Sequence, residues 1–420
     1  MPPRGRRRLA ARTLPSSSPP GRLLSSRTHR GFFTLVLALA MGTGTFPAAA
    51  YGVLGPDLVA DFGLTLVELG LLTTIFFLVG GTLSLVAGPS TDRLGARPVM
   101  VGSFVIVAVA VLGMSVAPTA VALLGWSAVA GLALATGNPV TNKLVSLHLR
   151  PGQRGLTMGG KQAGVQLGVF LAGAVLAPLS LLVGWRMALA ATAVIPVLAA
   201  IATLLAVPRD PVNVASAPAA STHPIGPEIR LLAVYAGLMG IATSCVYAYL
   251  PLYMTDGAGF TQSQAGEVVA LMGIAGVGAR IAWGWASEKV PSLAMPLVVF
   301  GTGGCVSALL TAALGASHPW LAYLVAALFG TTVLAWNTVG MMAVLGVVDA
   351  RSAGRASGIV LFGFYGGFVP GPIAFGWIVE ASSQYSLAWS LVAASTLMAA
   401  VLAAGWRRME SQSAAAHGRS

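Results

Sequence analysis

Three cationic side chains stand inside strongly apolar stretches of this chain: Lys143, Lys161 and Arg280. A charge there is expensive, about 2.5–3.5 kcal/mol at the centre of a membrane helix, so each needs a reason. Arg280 has the clearest setting. Gly273, Gly276 and Gly284 fall at i−7, i−4 and i+4 from it and share its helical face. A glycine face packs against protein, so Arg280 is expected to point inward. A guanidinium in that position offers a planar fork of donors to an anion. The other reading is a structural arginine that ties helices together.

Two polar stretches accompany it. In Asn138-Pro139-Val140-Thr141-Asn142-Lys143, the asparagines are one turn apart and Pro139 frees a carbonyl of the preceding turn. In Gly160-Lys161-Gln162-Ala163-Gly164-Val165-Gln166-Leu167-Gly168, the glycines form one stripe and Gln162 and Gln166 another, roughly opposite. Glutamines facing lipid are costly, so that second stripe should meet a cavity or another helix. Lys161 lies nearer the glycine edge and could reach either the cavity or a membrane rim. Lys143 is close enough to a helix end to snorkel. Asn138 has a counterpart 199 positions on, in Trp336-Asn337-Thr338, and Tyr51 has one 196 positions on, in Tyr247. The candidate solute-binding set is therefore Arg280, Asn138, Asn142, Lys161, Gln162, Gln166, Trp336, Asn337 and Tyr247. For the asparagines, plain interhelical hydrogen bonding is the competing account.

Carboxylates are absent from the middles of these stretches. Glu68, Glu267 and Glu380 sit near ends, and Asp57 and Asp61 lie in or beside a loop. Uncompensated positive charge favours an anionic ligand and opposes a cationic one. It also leaves no proton carrier in the centre. Proton coupling would need a peripheral acid or a protonated solute; anion exchange and facilitated diffusion stay open.

The elements that must position these residues follow from composition. The chain has 420 residues, of which 56% are hydrophobic and only 9% charged. A soluble domain carries about 25% charged residues, so this is an integral membrane protein. Runs long enough to span, roughly 20 residues each, number twelve, from about 32–54 to about 386–406. The fourth, fifth, eighth and tenth, at about 119–147, 156–183, 264–285 and 319–347, carry the polar set. A polar, Pro- and Ser-rich interruption at 207–229 has no helical period and behaves as a linker. The expected organisation is a basic tail 1–30, a six-helix bundle 31–206, the linker 207–229, a second bundle 230–406 and a tail 407–420.

The two bundles are copies of one plan. Gly63 to Gly70 realigns with Gly259 to Gly266 without a gap, 196 positions apart. The glycines at 155, 159, 164 and 168 map onto 354, 358, 363 and 367 at an offset of 199 and read as scaffold. Lys161, Gln162 and Gln166 have no such counterparts; Val360, Leu361 and Tyr365 stand there. Such asymmetry is where specificity should reside. Loop charge gives the orientation: the tail 1–30 holds eight arginines and no acid, and 20 of the 24 basic residues sort to one side, so both termini are expected in the cytoplasm. The net charge of +12 then needs no nucleic acid to explain it. Cys245 and Cys305 lie in apolar stretches and read as small core residues, and the five histidines form no metal constellation.

Between the second and third runs stands Gly88-Pro89-Ser90-Thr91-Asp92-Arg93-Leu94-Gly95-Ala96-Arg97-Pro98. It resembles the G-x-x-x-D-R-x-G-R-R signature loop of the major facilitator superfamily, with Ala96 in place of one arginine. A degenerate second copy, Gly284-Trp285-Ala286-Ser287-Glu288-Lys289, occupies the matching place in the second half, and Gly184-Trp185-Arg186 is also typical. The resemblance covers about 31–406. It implies an all-α fold of twelve transmembrane helices in two homologous six-helix bundles, working by alternating access without a cofactor and not as an enzyme. It implies a gating latch of Gly88, Asp92, Arg93, Arg97, Glu288, Lys289 and Arg355, in which Asp92 meets the positive N-terminus of the eleventh helix. In carriers of monocarboxylates within the superfamily, an arginine on the eighth helix contacts the substrate anion, and Arg280-x-x-x-Gly284 is similar to their pattern. The drug antiporter pattern G-x-x-x-G-P-x-x-G-G is broken here, since Val169 replaces its proline and Ala172 a glycine. The expectation is a monomeric secondary carrier in a bacterial cytoplasmic membrane. It would take up a small anion, organic or inorganic, with a proton by symport or against a counter-anion. The alternative is a drug or metabolite efflux antiporter of the same superfamily.

Overall fold

The computed structural model describes residues 27–149, 154–207, 226–287, 289–290, 292–314, 319–348 and 353–417. The expected N-terminal tail to residue 26, most of the linker and Glu288 lie outside them, and Gly88, Asp92 and Arg355 are described only as helical backbone. Among the described residues there is no strand, and twelve helices are long and apolar enough to cross a membrane. Spans 1–6 are His29–Val53, Leu66–Ser84, Ala96–Ser115, Ala120–Val145, Thr157–Val183 and Trp185–Leu205. Spans 7–12 are Pro227–Asp256, Gln262–Ala286, Ala294–Ala312, Pro319–Val344, Ala356–Ser382 and Tyr385–Arg407. Each lies within a few residues of its sequence expectation. Twelve crossings bring both termini to one end of the bundle.

Packing repeats between the halves. Span 1 packs on span 5, 2 on 4 and 3 on 6; in the second half span 7 packs on 11, 8 on 10 and 9 on 12. The duplicated glycines make this possible. A Cβ on Gly164 would lie 2.1 Å from Ala38 O, and its counterpart Gly363 would place one 2.3 Å from Ala233 O. Only hydrogen lets these backbones approach so closely. The halves meet along two symmetry-related seams, span 5 with span 8 and span 2 with span 11.

Among the described residues, four spans are interrupted: span 6 turns at Ala193 and span 11 at Val369, just before Pro370, while spans 5 and 10 depart further from a regular helix. Span 5 widens into a π-helical segment, Ala172–Leu176, just before Pro178, whose missing N–H cannot continue the ladder. Span 10 breaks at residues 332–335 between Pro319–Thr331 and Trp336–Val347. Thr331 and Thr332 donate their hydroxyls back to Ala327 O and Leu328 O, a bonding pattern that bends helices. Leu334 N bonds Phe329 O, five residues back, and Thr338 N bonds Ala335 O, so the Leu334 carbonyl is left outside the ladder.

The end away from the termini is closed by bonds between the halves. Val67 N donates to Glu380 Oε1 at 2.8 Å, Tyr249 Oη to Leu66 O at 2.6 Å, and Gln262 Nε2 to Asp57 Oδ2 at 2.6 Å.

Candidate functional site

The freed Leu334 carbonyl decides where Arg280 goes. Arg280 Nε donates to it at 3.1 Å and Nη2 at 2.8 Å, while Nη1 crosses to the first half and donates to Gln162 O at 2.9 Å. The guanidinium is thus anchored by three of its five N–H groups, leaving one on each Nη. Only 8% of Arg280 is exposed, and no carboxylate partners it among the described residues. The expected glycine face holds: a Cβ on Gly273 would strike Phe170 N at 2.4 Å, and one on Gly276 the side chain of Gln166.

Arg280 lines a cavity of about 720 Å³, open mouth included, between the two halves. The structure brings six of the nine candidate binding residues to its wall: Asn138, Gln162, Tyr247, Arg280, Trp336 and Asn337. Gln162 Nε2 donates to Asn138 Oδ1 at 3.3 Å, which ties spans 4 and 5 together at the wall. The remaining three stand behind or below it. Gln166 is fully buried and its Nε2 lies 3.4 Å from Leu334 O, so it braces the same carbonyl that holds Arg280. Lys161 is fully buried and donates to Thr141 Oγ1 at 2.9 Å and to Asn142 Oδ1. Asn142 itself is exposed, one turn nearer the terminus end than Asn138.

Sequence reasoning found Tyr247 and Trp336 but missed the other four rings of the wall. Phe77 of span 2 and Phe364, Tyr365 and Phe368 of span 11 line the cavity. Phe77 bridges the halves, its ring centroid 3.8 Å from that of Phe368 and 6.0 Å from that of Tyr365. Nothing in an apolar run distinguishes such rings from ordinary core; only their position on a seam does. Thr45 and Thr243, on spans 1 and 7, add hydroxyls and carried no signal beyond their type.

Of the expected latch residues, Arg93 is exposed at the last turn of its helix, and Arg97 donates to Leu204 O at the end of span 6 rather than across the halves. Lys289 lies 3.5 Å from the centroid of the Trp285 ring. Lys143 reaches the terminus end and donates to Thr91 O at 2.8 Å. Cys245 and Cys305 are free thiols.

Two six-helix halves with matched seams, enclosing at their interface a largely apolar cavity with a few polar side chains, define a membrane transporter. The chain matches the Major Facilitator Superfamily over residues 31–360 and belongs to that superfamily. It is 29% identical over 386 residues to the "Probable nitrate/nitrite transporter NarK2" of Mycobacterium tuberculosis, covering 83% of this chain and 90% of the relative. It is also 29% identical over 323 residues to an uncharacterized MFS-type transporter of that organism, covering 74% and 70%. Among solved structures, the nucleoside transporter NupG superposes with a TM-score of 0.73 at 15% identity, over 89% of this chain and 99% of that one. A bacterial homolog of the human lysosomal transporter Spinster, inward-facing and occupied, gives 0.70 at 16% identity, over 91% and 98%. At such identities the likeness is one of fold. Twelve apolar helices and bacterial relatives of this kind make it a multi-pass protein of the cytoplasmic membrane.

Proposed function

We propose that this transporter carries a small monovalent oxyanion of the nitrate, nitrite or formate type, bound by Arg280 in the cavity between the halves. The observation that carries this reading is Arg280 itself: a buried cation with two unused N–H groups and no acidic partner among the described residues. An anion supplies the missing charge and accepts both N–H groups side by side. The amides of Asn138, Gln162 and Asn337 add neutral donors, and Tyr247 and Trp336 offer ring edges to a planar ligand. The 29% identity to a nitrate/nitrite transporter supports the same class.

Both termini lie in the cytoplasm in this reading, because the basic residues collect at their end. The structure then represents the carrier closed to the outside. Uptake is favoured over export. Charge balance comes from a co-transported proton bound outside the cavity or from an exchanged anion. The 88–97 loop acts as the opposing latch. In the state closed to the cytoplasm Asp92 would meet the start of span 11, with Gly88, Arg93, Arg97, Glu288, Lys289 and Arg355 completing the cluster.

The test is a thermal-shift screen of the purified protein against nitrate, nitrite, formate, ethidium and tetraphenylphosphonium. Stabilisation by the anions and indifference to the cations is the expected result. Stabilisation by the organic cations alone would establish the efflux alternative instead.

A further inference from the structure

Lys161 is the costliest residue that the site does not explain. It is fully buried in span 5, yet its ammonium meets only neutral oxygens, Thr141 Oγ1 and Asn142 Oδ1. No acid lies within ion-pair distance of it among the described residues. Removing an ammonium from water without an opposite charge costs several kcal/mol. A purely structural need is hard to find in its partners. The Thr141 hydroxyl already donates to Gly137 O at 2.7 Å, and the Asn142 amide reaches solvent. Neither would be orphaned if the ammonium were gone.

Its place in the fold supplies a reason. Lys161 precedes Gln162, whose carbonyl accepts from Arg280 and whose amide bonds Asn138 on the cavity wall. Thr141, its other partner, touches Met41 Sδ at 3.8 Å, and Met41 also lines the cavity. The ammonium therefore sits one side chain behind the wall, beside the anion site but not in it. At this depth charges are poorly screened and act over several ångströms.

We propose that Lys161 is a positioning charge for the transported anion: a second positive centre behind the wall that deepens the potential at Arg280 without touching the ligand. The inference rests on the anion reading of the cavity. The arriving anion is then the counter-charge for two cations, and the fold carries Lys161 for that purpose. Its position on the terminus side, next to exposed Asn142, also places the charge beside the path between the cavity and that end. The counterpart position in the second half holds Val360, so the field is asymmetric between the halves.

The experiment compares Lys161→Met, Lys161→Arg and wild-type protein in two assays, melting temperature and nitrate affinity by tryptophan quenching or calorimetry. Lys161→Met should melt at the wild-type temperature or above, because a buried charge has been replaced by an apolar side chain of similar length. It should bind nitrate about tenfold more weakly. Lys161→Arg should keep nitrate affinity within about threefold, because the charge remains. A merely structural lysine gives the opposite pattern: Lys161→Met loses melting temperature. Wild-type nitrate affinity in Lys161→Met, or weakened binding that Lys161→Arg does not rescue, overturns the proposal while leaving the Arg280 site standing. Wild-type protein that binds neither nitrate, nitrite nor formate overturns both.

Discussion

Replacing Arg280 by Gln isolates the anion site, and the structure predicts how much should change. On the stability side two effects oppose each other. The substitution removes three charge-assisted hydrogen bonds, each worth about 1.5–3 kcal/mol. It also removes the cost of a buried charge, about 2.5–3.5 kcal/mol on insertion scales and more where the charge is fully dehydrated. Few groups are orphaned: Gln166 Nε2 still faces Leu334 O, and Gln162 O lies within a helix. The variant should fold and reach the membrane. On the binding side nothing cancels. Truncating one partner of a buried, hydrogen-bonded charge pair costs about 2–5 kcal/mol, which is roughly thirtyfold or more in affinity. Arg280→Lys keeps the charge but offers one point in place of a fork, so it should fall between, about tenfold weaker than wild type. The assay is nitrate affinity and uptake for the three proteins at matched membrane levels. Wild-type affinity in a well-folded Arg280→Gln protein would refute the reasoning. Loss of melting temperature in step with loss of binding would assign Arg280 to the scaffold.

Single cysteines placed at Ser26, Ser221 and Ser413 should all label from the cytoplasm, and external labelling of any one contradicts the orientation drawn from the basic residues. Gly273→Ala should cost about 1–3 kcal/mol, read as a lower melting temperature, because its Cβ would strike the Phe170 backbone; Gly278→Ala, with open space around it, should be neutral. Asp57, in the helix Gly55–Phe62 outside the spans, has a carboxyl raised above the usual range by burial, with the Gln262 hydrogen bond opposing the shift and Asp61 adding to it. An acid raised in the folded state is destabilising while ionised, and the penalty is relieved as pH falls through its folded value. Wild-type melting temperature should therefore gain on that of Asp57→Asn as the pH drops from about 7 toward 4, and parallel profiles would show that Asp57 carries no such penalty.

What was legible in the sequence was what composition and repetition encode. Twelve apolar runs and a duplication at offsets of 196 and then 199 specify two six-helix halves, and Gly273, Gly276 and Arg280 at helical spacing show which way the arginine turns. The structure added what depends on backbone detail. The break in span 10 supplies the carbonyl that anchors Arg280, and its one sequence signal is Thr331-Thr332 after Gly330, too ordinary to stand out. Lys161 was readable as a cation in the wrong environment, but helical spacing alone left it between cavity and rim. Its true partners come from span 4, and their register against span 5 is set by packing. The rings of the inter-half seam were illegible for a related reason: Phe77 and Phe368 look like core until the halves are docked.

Isotope-labelled nitrate counterflow in proteoliposomes tests the central claim most directly. Vesicles holding the purified protein and loaded with unlabelled nitrate should accumulate external label transiently, and vesicles bearing Arg280→Gln should not. Absence of accumulation with nitrate, nitrite and formate alike, from protein that does move an organic cation, would contradict the account.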